Sequence, residues 1–216
     1  MTELSVAITA EHLRYLAERT APEDEFLRQL KNEARAAGIP PIWISPEQAS
    51  FMQIVLKLCR ARDVVEVGTL AGYSAISMAR ALPGGGKVRT IEVSPLHARF
   101  ANQWIARSDV ADRVEIHRGD ARNILPTFSA DTADAAFLDA DKPSYPFYLK
   151  ECLRIVRPGG LIMADNAFAF GELFVHDSDE PEVLAMRAFN DLVAQNRALQ
   201  SIIVPLGDGL WVGVKL

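Results

Sequence analysis

From residue 63 onward the chain alternates short apolar runs with amphipathic segments, and this rhythm constrains the fold more than any other feature of the sequence. The runs "VVEVG" (64–68), "KVRTIEV" (87–93), "RVEIHRG" (113–119), "DAAFLDA" (134–140) and "GLIMADN" (160–166) read as strands. Between them, "YSAISMARAL", "PLHARFANQWIARS" and "SYPFYLKECLRIV" carry helical patterns. Strand–helix alternation predicts an α/β fold, a parallel sheet with helices on both faces. The tail departs from the rhythm. "LQSIIVPLGDGLWVGVKL" reads as two strands joined by Gly207-Asp208-Gly209, an antiparallel hairpin added at the sheet edge.

Upstream of the alternation lie helical segments. "AEHLRYLAERT" puts Leu13 and Leu16 on one face, and "PEDEFLRQLKNEARAAG" opens on Pro22 and acids and closes at Gly38. After "IPPIW", a third helix starts at Ser45, with Pro46 at its first position and Gln48 three residues after the serine. No repeat, low-complexity run or linker interrupts the chain. The expectation is one domain over 1–216, with an N-terminal helical extension over 1–44.

Composition narrows the class. At 216 residues, 49% hydrophobic and 24% charged, the chain can bury a substantial core. A net charge of -5 speaks against a nucleic-acid partner, which normally calls for a basic face. Cys59 and Cys152 are too few for a disulfide framework or a thiolate metal site and read as free thiols of a reducing compartment. The N-terminus lacks a basic segment followed by an apolar core, and no apolar run approaches the roughly 20 residues of a membrane span. A cytoplasmic protein is expected.

In an open α/β sheet, ligands sit at the C-terminal strand ends, near the reversal of strand order. The first such end carries "EVGTLAGYS", with Glu66, Gly68, Gly72 and Ser74. Gly68 permits a sharp turn and close approach of a ligand to the backbone. The spacing is not the three-glycine dinucleotide fingerprint, which sets aside a nicotinamide-dependent oxidoreductase, nor does it end like a P-loop. About 26 residues after Glu66, the second strand ends at Glu92, where a carboxylate can accept both hydroxyls of a ribose. At the third strand end, Asp120 and Ala121 lie where an adenine edge would pass, and Asp120 can equally cap the next helix. Together these point to a nucleoside-bearing ligand.

The fourth strand terminates in Asp139 and the fifth in Asp165-Asn166. Were the strands neighbours, their ends would stand about 5 Å apart. Two carboxylates and one amide would then converge without histidine or cysteine, an all-oxygen set suited to Mg²⁺ first, then Mn²⁺ or Ca²⁺. The alternative is that Asp139 caps a helix and Asp165-Asn166 forms a turn. Lys142 stands at the mouth of the same crevice. Shielded from water beside a divalent cation, a lysine can serve as a base near neutral pH; otherwise it pairs with Asp141.

"ISPEQASFM", "VVEVGTLAGYSAISMARAL", "FLDADKPSYPFYL", "LRIVRPGGLIMADN" and "PLGDGLWVGVKL" resemble the cation-dependent O-methyltransferases, a group that includes caffeoyl-CoA and catechol O-methyltransferases and their bacterial relatives. The resemblance runs from about residue 40 to the C-terminus. It implies a Rossmann-like class I methyltransferase fold with a mostly parallel seven-stranded sheet. It also implies S-adenosylmethionine as cofactor, a catecholic small-molecule acceptor and a homodimer. Residue by residue, it implies Asp139, Asp165 and Asn166 as metal ligands and Lys142 as the base. Glu66, Gly68, Gly72 and Ser74 would line the methionine end, Glu92 would hold the ribose, and Asp120, Ala121 and Asp139 would complete the cofactor site. Bacterial relatives that methylate a hydroxylated uridine in tRNA supply the second reading, and a non-catalytic binding module on the same fold the third.

One stretch departs from the family. Relatives commonly place a tryptophan and then Ser-Gly after "DN"; here the chain reads "DNAFAFGELFVHDSDEPE", with Ala169 in the tryptophan position and Phe168, Phe170 and Phe174 nearby. That stretch helps form the acceptor pocket in the family. "HDSDEPE" reads as a solvated loop, Trp43 as a packed aromatic or else a wall of the cofactor or acceptor site, and His12, His97, His117 and His176 as surface or structural.

Overall fold

A computed structural model of the chain describes residues 7–216. The first six residues, on which the expectation about the N-terminus partly rests, lie outside it. Three helices come first: α1 (Ala10–Ala17), α2 (Glu25–Ala36) and α3 (Pro46–Leu58). Then follow β1 (Asp63–Val67), α4 (Tyr73–Ala81), β2 (Lys87–Glu92), α5 (Pro95–Ile105), β3 (Val114–Arg118), the short α6 (Ala121–Ile124) and β4 (Ala133–Leu138). The chain closes with α7 (Tyr145–Ile155), β5 (Val156–Ala164), α8 (Pro181–Ala194), β6 (Leu199–Val204) and β7 (Leu210–Lys215).

The seven strands form one sheet in the order β3-β2-β1-β4-β5-β7-β6. The first five are parallel, and β7 and β6 are antiparallel at the edge. Successive residues of β1 serve opposite faces, as the two-residue strand period requires. Val64 joins the core with Leu30, Met52, Ile76 and Trp104, while Val65 joins the one with Tyr145, Leu149, Ile155 and Phe189. Burial on both faces is why β1 reads as a continuous apolar run. Strand order reverses between β1 and β4, so a crevice opens beyond their C-terminal ends.

The fifth strand differs from the sequence reading: it starts at Val156, directly after α7, and runs through Pro158-Gly159-Gly160. A register irregularity against β4 between Ala133 and Ala135 absorbs this entry. Its other end sets the site, since Leu138 pairs with Ala164 and therefore Asp139 and Asp165 leave neighbouring strands side by side. The main-chain N–H of Asp165 still donates to Leu138 O at 2.9 Å.

The start of α3 also departs from expectation. Ser45 Oγ accepts from Gln48 N at 3.2 Å, the expected cap. The Gln48 side chain does not return to the helix start. It is buried and reaches across to Asp165. In α1, Leu13 and Leu16 share a face as read, but no residue of this helix is buried, and both leucines are exposed. No described helix is long and apolar enough to cross a membrane. Cys59 and Cys152 are both unpaired.

Candidate active site

The crevice is a cavity of about 910 Å³. One end is formed by the turn after β1 and by the ends of β2 and β3; Gly68, Ser74, Glu92, Asp120 and Ala121 all line it. The other end holds Asp139, Lys142, Asp165 and Asn166. Residues drawn from five strand ends and spread over about 100 positions of sequence thus face one space.

Gly68 is where the two ends meet. It sits at φ +100°, and a Cβ there would come within 1.9 Å of the Asp139 carbonyl oxygen. Only glycine lets these two strand ends approach so closely. Gly72 begins α4 at φ +89°, as its place in the sequence suggests, but lies off the cavity wall, where an added Cβ would meet Ala101 and Ile105. Glu66 also lies off the wall. It sits inside β1, paired in register with Thr90 and Phe137, and its carboxylate is wholly buried beneath the cavity floor. Neither oxygen accepts a hydrogen bond of good geometry from the chain. Burial drives its pKa up to about 8, against the milder pull of the Ser74 and Thr90 hydroxyls; Asp139 and Glu92 push in the same direction as burial.

Glu92 braces the glycine turn. Its Oε2 accepts from Thr69 N and Leu70 N at 3.1 and 2.8 Å, and its Oε1 from Ser94 N at 2.8 Å. A carboxylate has about four acceptor positions, so one remains for a ligand hydroxyl. Asp120 turns away from this role. Its carboxylate caps α6 through Arg122 N and pairs with the Arg122 guanidinium, which holds its pKa below the usual range.

At the opposite end, Lys142 is buried and pairs with Asp139, Nζ to Oδ1 at 3.2 Å, and not with Asp141. Asp141 takes the Tyr148 hydroxyl. Lys142 Nζ also donates to the Tyr145 hydroxyl oxygen at 2.7 Å, and that hydroxyl donates to Leu138 O at 3.1 Å. Burial, with Asp139 and Asp165 nearby, pushes the Tyr145 pKa well up, so the phenol stays neutral and fixes the amine. Asp139 and Asp165 are both raised, each chiefly by burial; Asp139 adds to the rise at Asp165, while Gln48 opposes it.

Three site residues were not assigned roles by sequence reasoning. Gln48 Nε2 donates to Asp165 Oδ1 at 2.7 Å, Tyr145 holds Lys142, and Asp208 of the β6–β7 turn accepts from Asn166 Nδ2 at 3.1 Å. The only sequence signal was their presence inside "SPEQ", "DKPSY" and "GDG", each of which has an ordinary structural reading. Trp43 lines the cavity, with the guanidinium carbon of Arg35 4.8 Å from its ring centre.

The sequence and the fold match known proteins along almost the whole chain. A family model described as "O-methyltransferase" covers residues 17–216. The catechol O-methyltransferase of Niastella koreensis is 41% identical, spanning 93% of this chain and 90% of its own length. That of Mycobacterium tuberculosis is 33% identical, over 90% and 88%. Among solved structures, an O-methyltransferase from Bacillus cereus in complex with S-adenosylhomocysteine superposes with a TM-score of 0.85 at 33% identity, covering 94% of this chain and 96% of that one. The class defined by fold and site is the S-adenosylmethionine-dependent O-methyltransferase. This chain belongs to the O-methyltransferase family.

Proposed function

We propose that the protein transfers the methyl group of S-adenosylmethionine to one hydroxyl of a vicinal dihydroxy aromatic small molecule, with a divalent cation at Asp139, Asp165 and Asn166. The observation carrying this reading is the convergence of buried Lys142 with the buried carboxylate of Asp165 and the half-buried one of Asp139 on the cavity that Glu92 also lines. Two relatives bear the name catechol O-methyltransferase, and an O-methyltransferase of Streptomyces achromogenes, 31% identical with a TM-score of 0.84, is described in complex with S-adenosylmethionine.

The donor set fits a hard cation. Among the described residues no cluster of three or more His, Cys, Asp or Glu side chains is positioned to hold a metal. Here there are two carboxylates and an amide, all oxygen, and both carboxylates are disfavoured as anions. A positive charge between them relieves that penalty, and open coordination positions suit Mg²⁺ above Mn²⁺ or Ca²⁺. Bound Mg²⁺ supplies Lewis acidity that holds two adjacent hydroxyls and lowers the pKa of one. The cofactor fits too: the Gly68 turn offers bare backbone, Ser74 and Glu92 stand beside it, and the orphaned Glu66 lies beneath.

The chain's own residues do the rest. Asp139 and the Tyr145 hydroxyl aim Lys142 Nζ, which takes the proton from the acceptor hydroxyl. Gln48 holds Asp165 against rotation. Phe170, 5.9 Å from its ring centre to Lys142 Nζ, walls the acceptor end. No covalent enzyme intermediate is needed for an in-line displacement. The exposed α1 face, with Leu13 and Leu16, supports a homodimer contact, and the two unpaired cysteines support a reducing, cytoplasmic setting.

The test is methyl transfer from labelled S-adenosylmethionine to caffeic acid, with Mg²⁺ and with excess chelator. Turnover lost on chelation is expected. Turnover indifferent to chelator removes the cation from the reading. Cofactor binding without turnover on any catechol returns the acceptor to hydroxylated uridine in tRNA.

A further inference from the structure

The turn between β6 and β7 meets the oxygen cluster at Asn166 and lies against Gln48, the side chain bonded to Asp165. Gly207, at φ +57°, has no room for a Cβ, which would fall 2.3 Å from Gln48 Oε1, on the side chain that holds Asp165. Gly209, at φ +80°, would place a Cβ 2.9 Å from the Phe168 ring. Between them, Asp208 and Gly209 present their carbonyl oxygens to Phe168 N and Ala167 N, both at 2.8 Å. The segment after Asn166 is therefore laid along this turn by backbone bonds.

The Asp208 side chain completes the arrangement. Its Oδ2 accepts from Asn166 Nδ2 at 3.1 Å and from Phe170 N at 2.7 Å, and its Oδ1 accepts from Gly171 N at 3.2 Å. Asn166 and Phe170 are both in the left-handed region, at φ 64° and 61°, where non-glycine residues need outside support. Asp208 holds the main chain at Phe170 and the side-chain amide at Asn166. An ionised carboxylate is an acceptor only, so the amide of Asn166 must face it with nitrogen. The amide oxygen then points the other way, and Asn166 lines the same cavity end as Asp139 and Asp165.

We infer that Asp208 is the positioning residue of the oxygen cluster: it fixes Asn166 with its amide oxygen towards Asp139 and Asp165, and with the same carboxylate it pins the backbone that carries Phe170 over Lys142. One residue of an edge hairpin thereby sets both the third oxygen donor and the acceptor wall. This inference rests on the cation reading given above.

The experiment measures Mn²⁺ binding to the full-length chain by electron paramagnetic resonance, in the presence of S-adenosylhomocysteine, whose own affinity is measured in parallel. Asp208→Asn preserves volume and the turn but offers one acceptor oxygen where three donors converge, so the Asn166 amide is free to flip. Outer-shell partners of this kind are worth about 10-fold or more in metal affinity. Asp208→Asn is expected to weaken Mn²⁺ about 10-fold and leave S-adenosylhomocysteine within about twofold, and Asp208→Ala to weaken Mn²⁺ further. In an Asn166→Ala background, Asp208→Asn should have no additional effect on Mn²⁺, because its action passes through that amide. Wild-type affinity for Mn²⁺ in Asp208→Asn, or an undiminished effect in the Asn166→Ala background, overturns the assignment alone. A wild-type protein that binds no Mn²⁺ overturns the cation reading and this inference with it.

Discussion

Gln48 Nε2 lies 2.7 Å from Asp165 Oδ1, a buried hydrogen bond between side chains 117 residues apart. It ties the first turn of α3 to the residue after β5 and engages one of the two carboxylate oxygens. Gln48→Leu is expected to raise the Mg²⁺ concentration needed for half-maximal turnover about 10-fold, as loss of an outer-shell partner does. It should also cost about 1–3 kcal/mol of stability, because a buried acceptor loses its donor. Metal titration of activity and thermal denaturation check the two effects; a Mg²⁺ requirement unchanged from wild type would show that Asp165 is held by other means.

Lys142 is held from two sides, by Asp139 at 3.2 Å and by the Tyr145 hydroxyl at 2.7 Å. Lys142→Met should lower kcat by about 10²–10⁴, the usual worth of a general base, without loss of S-adenosylhomocysteine binding. Tyr145→Phe keeps the packing against Phe189 but removes one anchor of Nζ, so a smaller fall in kcat with little change in KM is expected. A Lys142→Met enzyme as fast as wild type would exclude the lysine from proton transfer.

Glu66 makes a pH prediction with an unusual sign. Its ordinary pKa of 4.5 rises to about 8 in the fold. Between those values the unfolded chain has lost the proton and the folded chain keeps it, so stability falls as pH rises through this window. The maximum slope is about 1.4 kcal/mol per pH unit, and the contribution is flat below and above the window. Asp139 and Asp165, also raised, add slope of the same sign. Glu66→Gln should therefore flatten but not abolish the decline of Tm between pH 5 and pH 8, measured with chelator and no cofactor. Parallel Tm profiles for the two proteins would mean that Glu66 ionises normally.

The parallel sheet with its antiparallel edge hairpin was legible in the alternation of apolar runs; that β4 and β5 are neighbours came from the strand order. Asp139, Asp165, Asn166 and Lys142 were legible as candidates because each lies at or just beyond the end of an apolar run. Gln48 was not, because Ser-x-x-Gln before an apolar run signals a helix cap, and only tertiary packing diverts the glutamine to Asp165. Asp208 was hidden for a similar reason, since Gly-Asp-Gly between two strands is explained by turn chemistry alone. Glu66 was placed on the wall by its neighbourhood to Gly68, although the two-residue period of β1 puts it on the same buried face as Val64. Asp120 kept both readings in sequence, and the structure keeps both as well: its carboxylate caps α6 and pairs with Arg122 while the residue lines the cavity.

Phe170 tests the departure from the family at its most specific point. It stands at φ 61°, is 49% exposed, and lies over Lys142. Phe170→Gly acts on two quantities with different signs. Relief of the left-handed backbone returns about 1–2 kcal/mol, while the added freedom of glycine in the unfolded chain costs about 0.5–1 kcal/mol, so stability should change by no more than about 1.5 kcal/mol. The loss of the ring strips an aromatic wall from the acceptor end, where a ring–ring contact is worth about 0.5–1.5 kcal/mol beyond its buried area. The acceptor KM should accordingly rise about 3- to 10-fold and the ratio of the two methylated products of caffeic acid shift towards even, with Tm and the KM for S-adenosylmethionine held. If Tm falls steeply while acceptor KM and product ratio stay fixed, Phe170 packs the loop and does not meet the acceptor.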